Sequence, residues 1–273
     1  MTDTAKVALV TGATSGLGRA VAIALATDHR MQVLIHGRDQ RRADAVVHEI
    51  ERMGGSARTY LADLGTLDQV GALADRVAAD HPALHLLINN AGIGAGRPPY
   101  RKRELSADGH ELRLAVNYLA APLLTRRLLP TLTRDTPARI VNIASVGQSP
   151  VDFADPGFEH HYSSIEAYNR SKFALVAFTF DLAEELAGHE VTVNCLHPAS
   201  LMNTRMVRQA LVPPLSTVQS GVQAVMNLAA GPVGGTVSGR YFDGIREARA
   251  HAGTYDPAVR ARLRALTADL LAR

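Results

Sequence analysis

Short apolar runs alternate with longer amphipathic stretches along the chain, and this alternation predicts strands and helices in turn. The runs are nearly continuous in apolar residues, which indicates strands that helices bury on both faces. The predicted strands are Lys6–Thr11, Gln32–His36, Ala57–Ala62, Leu84–Ile88, Arg139–Ala144, Val191–Leu196 and Ser238–Asp243. We therefore predict an α/β fold with a doubly wound, seven-stranded parallel sheet, in a single domain over residues 1–273.

The stretches between these strands have helical spacing. The predicted helices are Gly16–Thr27, Asp39 (as the cap) to Met53, Leu67–Asp80, Asp108–Leu132 and Glu166–Ala187, and a polar loop covers Gly94–Ser106. The tail from Asp256 to Arg273 begins with Asp-Pro and carries apolar residues at helical spacing, namely Val259, Leu263, Leu266 and Leu270. We expect a terminal helix docked on the domain; contact with a membrane surface or a second copy is the alternative.

Composition excludes several classes of protein. Hydrophobic residues make up 47% of the 273 residues, and the formal net charge is only +3, with acidic and basic residues interspersed. This charge gives no support for nucleic-acid binding and weakly favours a small anionic ligand. The one cysteine, Cys195, lies in an apolar run, so we expect a buried structural thiol and a reducing compartment. No stretch approaches the ~20 apolar residues of a membrane span, and the early first strand leaves no room for a signal peptide, so we expect a cytoplasmic protein.

A glycine-rich turn, Thr11 to Gly18, follows the first strand. Ligands of open parallel sheets bind beyond the carboxyl ends of the strands, and glycines there let the backbone approach a pyrophosphate at the start of a helix. Glycines also make ordinary turns, so the turn alone leaves both interpretations open. The residues expected to contact a dinucleotide here are Gly12, Thr14, Ser15, Gly16, Leu17 and Gly18.

The second strand ends in His36-Gly37-Arg38-Asp39. Proteins that prefer NAD usually have an acid at this strand end, which binds the ribose 2′-hydroxyl. Gly37 stands in that place and Arg38 follows it, and a guanidinium pairs well with a phosphate. We therefore predict NADP(H) rather than NAD(H), with Asp39 capping the next helix and pointing away from the ribose.

Polar residues also end the third and fourth strands. Asp63, with Leu64 beside it, is expected to accept a hydrogen bond from the adenine amino group, or else to cap the following helix. The turn Asn90-Ala91-Gly92 lies where the chain must pass the cofactor. Asn89, just before this turn, is equally consistent with bracing neighbouring strands.

Tyr168 and Lys172 lie four residues apart in the predicted helix Glu166–Ala187, so they share one face. A free phenol titrates near pH ~10 and is a poor proton donor or acceptor at neutral pH, unless a nearby ammonium favours its anion. This spacing also occurs by chance on surface helices. Together with a nucleotide-binding turn, it makes an oxidoreductase the leading hypothesis.

With these motifs in order over nearly its whole length, the chain resembles the short-chain dehydrogenase/reductase family, which has a Rossmann-type fold. Thr11 to Gly18 is similar to the family's T-G-x-x-x-G-x-G turn, and Asn90-Ala91-Gly92 to its N-A-G motif. The resemblance implies a catalytic tetrad, which consists of Asn117, Ser145, Tyr168 and Lys172.

The resemblance also implies a role for each of the four. Tyr168 would protonate the carbonyl oxygen in reduction, or deprotonate the alcohol in reverse, while Ser145 would hydrogen-bond that oxygen. Lys172 would favour the tyrosinate and hold the nicotinamide ribose, so that Tyr168 and Lys172 also contact the cofactor. Asn117 would position a water that links Lys172 to solvent.

The interval from Ser145 to Tyr168 is longer than is typical of the family, and its insert, Gln148–Ile165, is expected to border the substrate pocket. In this respect the chain resembles the retinol-dehydrogenase-like branch and, more closely, bacterial reductases allied to anthracycline ketoreductases. His160 and His161 within the insert are adjacent, without further spaced ligands, so we predict no metal site.

Downstream of the sixth strand, the resemblance adds cofactor contacts at Pro198, Leu201 and Thr204. Thr204 lies one residue farther on than is usual, so Asn203 competes with it. The segment Ser200–Ser220 is expected to be a mobile lid over the substrate, or else an ordinary surface loop. A basic loop either meets an anionic substrate or is simply solvated, and its residues are Arg97, Arg101, Lys102 and Arg103.

The sequence thus predicts an NADP(H)-dependent enzyme that reduces a ketone or aldehyde, or oxidises a secondary alcohol, and the resemblance implies an apolar substrate of polyketide or retinoid type. The alternatives are a reductase of an activated C=C bond and a non-catalytic NADP(H)-binding sensor, and the intact tetrad argues against the sensor. Kinship implies a homo-oligomer. No nucleic-acid or membrane partner is expected.

Overall fold

One twisted sheet with helices on both faces forms the body of the protein, in a computed structural model that describes residues 5–272. The strands are β1 (Val7–Val10), β2 (Gln32–Gly37), β3 (Ser56–Leu61), β4 (Leu86–Asn89), β5 (Ala138–Ile143), β6 (Val191–His197), β7 (Tyr241–Asp243) and β8 (Arg246–Ala248). Their order in the sheet is β3-β2-β1-β4-β5-β6-β7-β8. The predicted α/β, doubly wound architecture is confirmed.

The strand order reverses between β1 and β4, which are parallel neighbours although two strands separate them in sequence. A crevice forms outside the carboxyl ends of the strands at such a reversal. All residues of β1 and β4 are buried, because helices cover both faces of the sheet. The glycine-rich turn after β1 and the Asn90-Ala91-Gly92 turn after β4 therefore meet at this edge.

The helices are α1 (Gly16–Thr27), α2 (Gln40–Arg52), α3 (Leu67–Asp80), α4 (Leu112–Leu114), α5 (Ala120–Leu132), α6 (Ser164–Glu185), α7 (Arg205–Gln209), α8 (Val218–Ala229), α9 (Val233–Thr236) and α10 (Pro257–Leu271). A π-helical turn joins α4 to α5 over Ala115–Leu119, and a 3₁₀ turn covers Ala252–Tyr255. One apolar core lies on the side of the sheet that holds α3, α5 and α6, and a second lies on the side of α1, α2 and α8. Both cores support the same crevice.

The sheet has an eighth strand that the sequence pattern did not predict. Among the described residues, β8 pairs antiparallel with β7, so the predicted seven-stranded, purely parallel sheet is wrong in this respect. The reason is that β8 has only three residues and is mostly polar: Arg246 and Glu247 are exposed, as is common for a short edge strand. Gly244, with φ of +59°, makes the tight reversal between the two strands.

The predicted helix Asp108–Leu132 begins later than expected and is interrupted. Asp108 instead accepts a hydrogen bond from the backbone N–H of Leu67 (2.8 Å), and Gly109 turns with φ of +80°. Glu111 starts the helical segment by accepting from the N–H groups of Arg113 and Leu114 (2.8 Å each). The π-helical turn that follows carries Asn117, and such turns are frequent at functional sites.

The predicted terminal helix is confirmed as α10, which docks on the domain; Arg273, the last residue of the prediction, lies outside the described residues. Leu263 and Leu270 are buried against the core. Thr267 shares a 2.6 Å hydrogen bond with Tyr118 of the π-helical turn, and Arg260 donates to Glu184 of α6 (2.8 Å). Within residues 5–272, no helix combines the length and apolar character that crossing a membrane requires.

Candidate active site

The glycine turn and the Asn90-Ala91-Gly92 turn are packed directly against each other. Gly12 has φ of +66°, and a Cβ there would lie 2.9 Å from the Cα of Ala91. A Cβ on Gly18 would overlap the side-chain nitrogen of Asn90. A side chain at either glycine would therefore push the two turns apart, which explains why the turn needs glycine at these positions.

Hydrogen bonds fix this contact. The hydroxyl oxygen of Thr11 accepts from the backbone N–H groups of Asn90 (2.9 Å) and Ala91 (3.0 Å). The side-chain nitrogen of Asn90 donates to the carbonyl of Thr11 (2.8 Å), so this amide group braces the two turns. Asn89 donates to Thr125 (3.1 Å) and Asn142 (2.8 Å), and its predicted bracing role is confirmed.

The start of α1 can hold a phosphate group. Its cap residue, Ser15, makes no side-chain hydrogen bond to the helix, and no acid lies in the first turn, so N–H groups and the positive end of the helix dipole stay available to an anion. Gly16 has φ of +54° and opens onto the same cleft. Thr14 packs against Gly37, where any Cβ would overlap its methyl group. Leu17, by contrast, is buried in the core on the α1 side.

His36 is a buried part of this region that sequence reasoning missed. Its Nδ1 accepts a hydrogen bond from the N–H of Gly12 (3.1 Å), and its Nε2 lies 3.2 Å from the carbonyl of Ala62. Burial lowers the pKa of His36 to about 4, so the ring is neutral at physiological pH and donates from Nε2. It ties the ends of β2 and β3 to the glycine turn. A polar residue that ends an apolar strand was the available signal.

The predicted adenosine-end residues lie together at the ends of β2 and β3. Arg38 is exposed, and its guanidinium is 3.4 Å from the carboxylate of Asp63. Asp63 also accepts from the N–H of Gly65 (2.9 Å); the cap of α3 is Thr66, so the predicted helix-capping alternative for Asp63 is wrong. Asp39 caps α2 by accepting from the N–H of Arg42 (3.0 Å), as predicted. Leu64 is buried in the core.

Tyr168, Lys172 and Ser145 converge beyond the carboxyl end of β5. Tyr168 and Lys172 share one face of α6, with the ammonium nitrogen 5.8 Å from the centre of the phenol ring. Lys172 donates to the carbonyl of Ile143, the last residue of β5 (2.7 Å). Ser145 lies two residues farther on, and its hydroxyl is near enough to the phenol of Tyr168 to lower the pKa of that phenol. The residues that the sequence singled out thus form one cluster.

The protonation of this cluster differs from the sequence-based expectation. Burial raises the pKa of Tyr168 above its ordinary value, and the nearby Ser145 hydroxyl lowers it only in part. A lowered phenol pKa was expected from Lys172, so that expectation is wrong for the protein's own groups. Burial also lowers the pKa of Lys172 to about 8, because a desolvated ammonium is costly. The ammonium is still protonated in most molecules at pH 7.

Asn117 connects this cluster to the segment after β4. Its side-chain oxygen accepts from the N–H of Ile93 (2.7 Å), and its nitrogen donates to the carbonyl of Ile93 (3.0 Å) and to Ser171 on α6 (3.1 Å). A Cβ on Gly92 would lie 3.3 Å from that oxygen and 3.6 Å from the nitrogen of Lys172. Asn117, Lys172 and Gly92 therefore meet at one point, where the π-helical turn holds the amide.

Two side chains outside the predicted set hold the backbone of Ser145. Its carbonyl accepts from the side-chain nitrogen of Gln148 (2.8 Å) and from the hydroxyl of Tyr241 on β7 (3.2 Å). Gln148 in turn accepts a hydrogen bond from the N–H of His251 (3.0 Å), so a residue near the C-terminus holds Gln148 in place. Nothing in the local sequence around Tyr241 signals this contact, because the residues are far apart in the chain.

The insert Gln148–Ile165 is anchored by a buried polar network. The hydroxyl of Tyr162 donates to the carboxylate of Glu111 (2.9 Å) and accepts from the guanidinium of Arg113 (2.8 Å). Glu111 and Arg113 form a buried ion pair (3.1 Å). Arg113 also donates to the carbonyl of Gly94 (3.0 Å), in the loop after β4. The insert and that loop are therefore held to the same point, just ahead of Asn117.

The segment after β6 closes the cleft from above. Pro198 is buried at the end of β6, and Leu201 is exposed with φ of +46°. Thr204 caps α7 and lies against the glycine turn, because a Cβ on Gly16 would be 3.5 Å from its methyl group. Asn203 and Thr204 both line the cleft, so the structure does not favour one over the other as the cofactor contact.

Two other groups have defined surroundings. Cys195 is buried, and burial raises the pKa of its thiol to about 12, which confirms a structural thiol. His160 and His161 are exposed. In the described range of residues 5–272, no group of three or more histidine, cysteine or acidic side chains is placed to hold a metal ion.

Comparisons with known proteins agree with this geometry. The family model for short chain dehydrogenases matches residues 6–212. Retinol dehydrogenase 14 of Homo sapiens is 35% identical over 272 residues, which span 89% of this chain and 79% of that protein. A Mycobacterium paratuberculosis structure superposes with a TM-score of 0.80 at 26% identity, over 98% of this chain and 93% of that one. A metagenomic short-chain oxidoreductase in complex with NADP superposes with a TM-score of 0.64 at 30% identity, over 82% and 90%.

The chain therefore belongs to the short-chain dehydrogenase/reductase family, and it is an oxidoreductase. Within that family it is retinol-dehydrogenase-like, since several retinol dehydrogenases match most of its length. The predicted family is confirmed. The likeness to bacterial ketoreductases stays a prediction.

Proposed function

We propose that the protein is an NADP(H)-dependent oxidoreductase that reduces a ketone or aldehyde, or oxidises a secondary alcohol, of apolar character. The observation that carries this proposal is the convergence of Ser145, Tyr168 and Lys172 beside the packed glycine turn. A phenol, a hydroxyl and an ammonium beyond the carboxyl ends of the strands form a general acid with its orienting partners.

The bound cofactor would supply the hydride, and the protein's own residues would handle the proton. Tyr168 would donate its phenolic proton to the carbonyl oxygen, and Ser145 would donate a hydrogen bond to the same oxygen. The raised pKa of Tyr168 keeps the phenol protonated at neutral pH, which suits the reduction direction. Lys172 would stabilise the phenolate left after transfer, because its ammonium lies close to the ring.

A phenylalanine variant of the acid tests this mechanism. Tyr168→Phe should still bind NADPH and should lose at least about a hundredfold in kcat with carbonyl substrates, since general acid catalysis contributes ~10²–10⁴. NADPH fluorescence reports binding, and NADPH absorbance reports turnover. A variant that binds NADPH and keeps full turnover would contradict the proposal.

The preference for NADP(H) rests on Gly37 and Arg38. No acid occupies the end of β2, and the exposed Arg38 is free to turn its guanidinium from Asp63 to a 2′-phosphate, since a single 3.4 Å exposed contact is weak. The structural relative in complex with NADP supports the choice. Arg38→Asp should lower kcat/KM for NADPH strongly and leave NADH nearly unaffected. Better kcat/KM with NADH in the unaltered protein would refute the assignment.

The proposed substrate is apolar. Val146, next to Ser145 in the chain, is 55% exposed, and Ile165, three residues before Tyr168, is 44% exposed, so exposed apolar side chains lie close in sequence to two of the catalytic residues. The names of the retinol dehydrogenases among the relatives point the same way. A carbonyl panel that includes aromatic polyketide ketones and retinal-like aldehydes, followed by NADPH absorbance, tests this. An enone in the panel separates C=O from C=C reduction by its product.

A homo-oligomer and a cytoplasmic location also remain proposals. The outer face of α6 is partly covered by α10, through the ion pairs Arg260–Glu184 and Arg264–Asp181. Two copies that associate would therefore need a different patch of α6, or another helix. Light scattering after size exclusion would measure the mass in solution, and a monomeric mass would refute the oligomer.

A further inference from the structure

A cleft of about 650 Å³ lies between the glycine turn and the lid (Ser200–Ser220). Its lining contains four arginines and no acidic residue, although the protein's net charge is only +3. The lining residues are Ser15, Gly16, Arg19, Ala20, Arg97, Asn203, Thr204, Arg205, Arg208, Gln209 and Val218. Four positive side chains around one cleft, with no negative one, favour the binding of an anion inside it.

The four arginines come from three separate segments. Arg19 is on α1, Arg97 is in the loop after β4, and Arg205 and Arg208 are on α7 of the lid. Arg19 is neutralised by an ion pair with Glu49. For the other three, the described part of the chain offers no carboxylate within 4.0 Å, the limit for an ion pair, so their charges are uncompensated.

The part of the lid that contains α7 is held over the cleft by contacts at both ends of that helix. At one end, Thr204 lies against Gly16. At the other, a Cβ on Gly94 would be 2.7 Å from the side chain of Met206, and the hydroxyl of Tyr100 lies 3.4 Å from the carbonyl of Ala210. The arginines of α7 therefore face the first turn of α1 across the cleft, rather than the ribose end near Arg38.

We propose that Arg205 and Arg208 of the lid, together with Arg97, bind the pyrophosphate of the dinucleotide from the side opposite α1. This inference rests on the proposed function and adds residues to it. Ser15 and Gly16 would meet the pyrophosphate with backbone N–H groups, while the guanidinium groups pair with its outer oxygens. The same arginines would contribute to the binding of either nicotinamide cofactor, because both carry the same pyrophosphate.

The test compares cofactor binding in three proteins by fluorescence titration with NADPH and NADH, across a range of salt concentrations. The double variant R205Q/R208Q removes the lid charges. R134Q is a control for the loss of an exposed arginine, because Arg134 lies in the segment that precedes β5, at the amino ends of the strands and away from the cleft. Thermal melts check that both variants are folded, and all three positions are exposed.

We expect Kd for NADPH and for NADH to rise by about tenfold or more in R205Q/R208Q, since charge-assisted hydrogen bonds are lost. The rise of Kd with salt should also become shallower than in the unaltered protein and in R134Q. Equal loss for both cofactors distinguishes the pyrophosphate from the 2′-phosphate, which Arg38→Asp would affect for NADPH alone.

Three results would overturn the inference. Unchanged Kd values and salt dependence in R205Q/R208Q would show that the lid arginines do not touch the cofactor. A raised KM for an anionic carbonyl substrate with unchanged cofactor Kd would assign them to the substrate. If the unaltered protein binds neither nicotinamide cofactor, the proposed function itself fails, and that outcome is distinct from a loss confined to the variant.

Discussion

Replacing Tyr162 with phenylalanine removes one hydroxyl from the network that anchors the insert. That hydroxyl donates to Glu111 and accepts from Arg113, at 2.9 and 2.8 Å. The ring would remain, including its edge contact with Phe158, so apolar packing is retained. The change therefore isolates two hydrogen bonds to charged, buried partners.

The expected loss of stability follows from those partners. Glu111 is fully buried and the side chain of Arg113 is 5% exposed, so neither regains a full water shell when the hydroxyl is gone. A hydrogen bond to a charged group contributes ~1.5–3 kcal/mol, whereas one between neutral groups contributes ~1. Glu111 keeps its bonds to Arg113 and to two backbone N–H groups, which limits the loss. We expect the free energy of unfolding to fall by about 2 kcal/mol.

Urea unfolding measures this loss. With a slope of about 3 kcal/mol/M, the midpoint should fall by roughly 0.7 M. Tyr255→Phe is the matched control, because its hydroxyl accepts one bond from the N–H of Ala250 on an exposed ring, and its midpoint should move by less than half as much. If Tyr162→Phe and Tyr255→Phe unfold at the same urea concentration as the unaltered protein, the network does not anchor the insert.

Three further predictions concern the cofactor end and the catalytic cluster. Gly18→Ala should raise Kd for NADPH at least about tenfold and destabilise the fold by about 1–3 kcal/mol, because its Cβ displaces Asn90; titration and thermal melting check this. Since His36 has a folded pKa of about 4 against an ordinary value of 6.5, stability should be complete above pH 6.5. It should fall by about 3 kcal/mol towards pH 4, and His36→Gln should flatten that dependence in urea midpoints. With the pKa of Lys172 at about 8, kcat for reduction should decline as pH rises past 8, and Lys172→Met should be slow at every pH.

The architecture and the main cluster were predictable because their signals are local. Nearly continuous apolar runs place the strands, and glycine or a polar residue follows each strand that feeds the crevice. Tyr168 and Lys172 share a helix face by spacing alone. Residues that end parallel strands meet at one edge whatever their sequence separation, so Ser145 and the Asn90-Ala91-Gly92 turn could be assigned to the same site.

The parts that sequence reasoning missed depend on contacts between distant residues. Tyr241 and Ser145 are far apart in the chain, and neither shows that the two touch. Glu111 and Arg113 are charged, so their sequence suggests exposed positions. They are buried because Tyr162, far along the chain, packs on them and bonds to both. The pKa of Tyr168 was expected to fall because the neighbouring charge was counted and the cost of burial was not.

The carbonyl of Ser145 accepts hydrogen bonds from two side chains, Gln148 nearby in the chain and Tyr241 much farther along it. A chimeric enzyme that continued with a relative's sequence after residue 212 would keep Ser145 and Gln148 but would have the relative's residue in place of Tyr241. Where the relative has a tyrosine at the position of Tyr241, we expect the peptide of Ser145 to keep its orientation. Where the relative has an aliphatic residue there, turnover should drop even if both parent enzymes are fully active. Chimeras should therefore be chosen first by the residue at that position, and only then by overall sequence similarity.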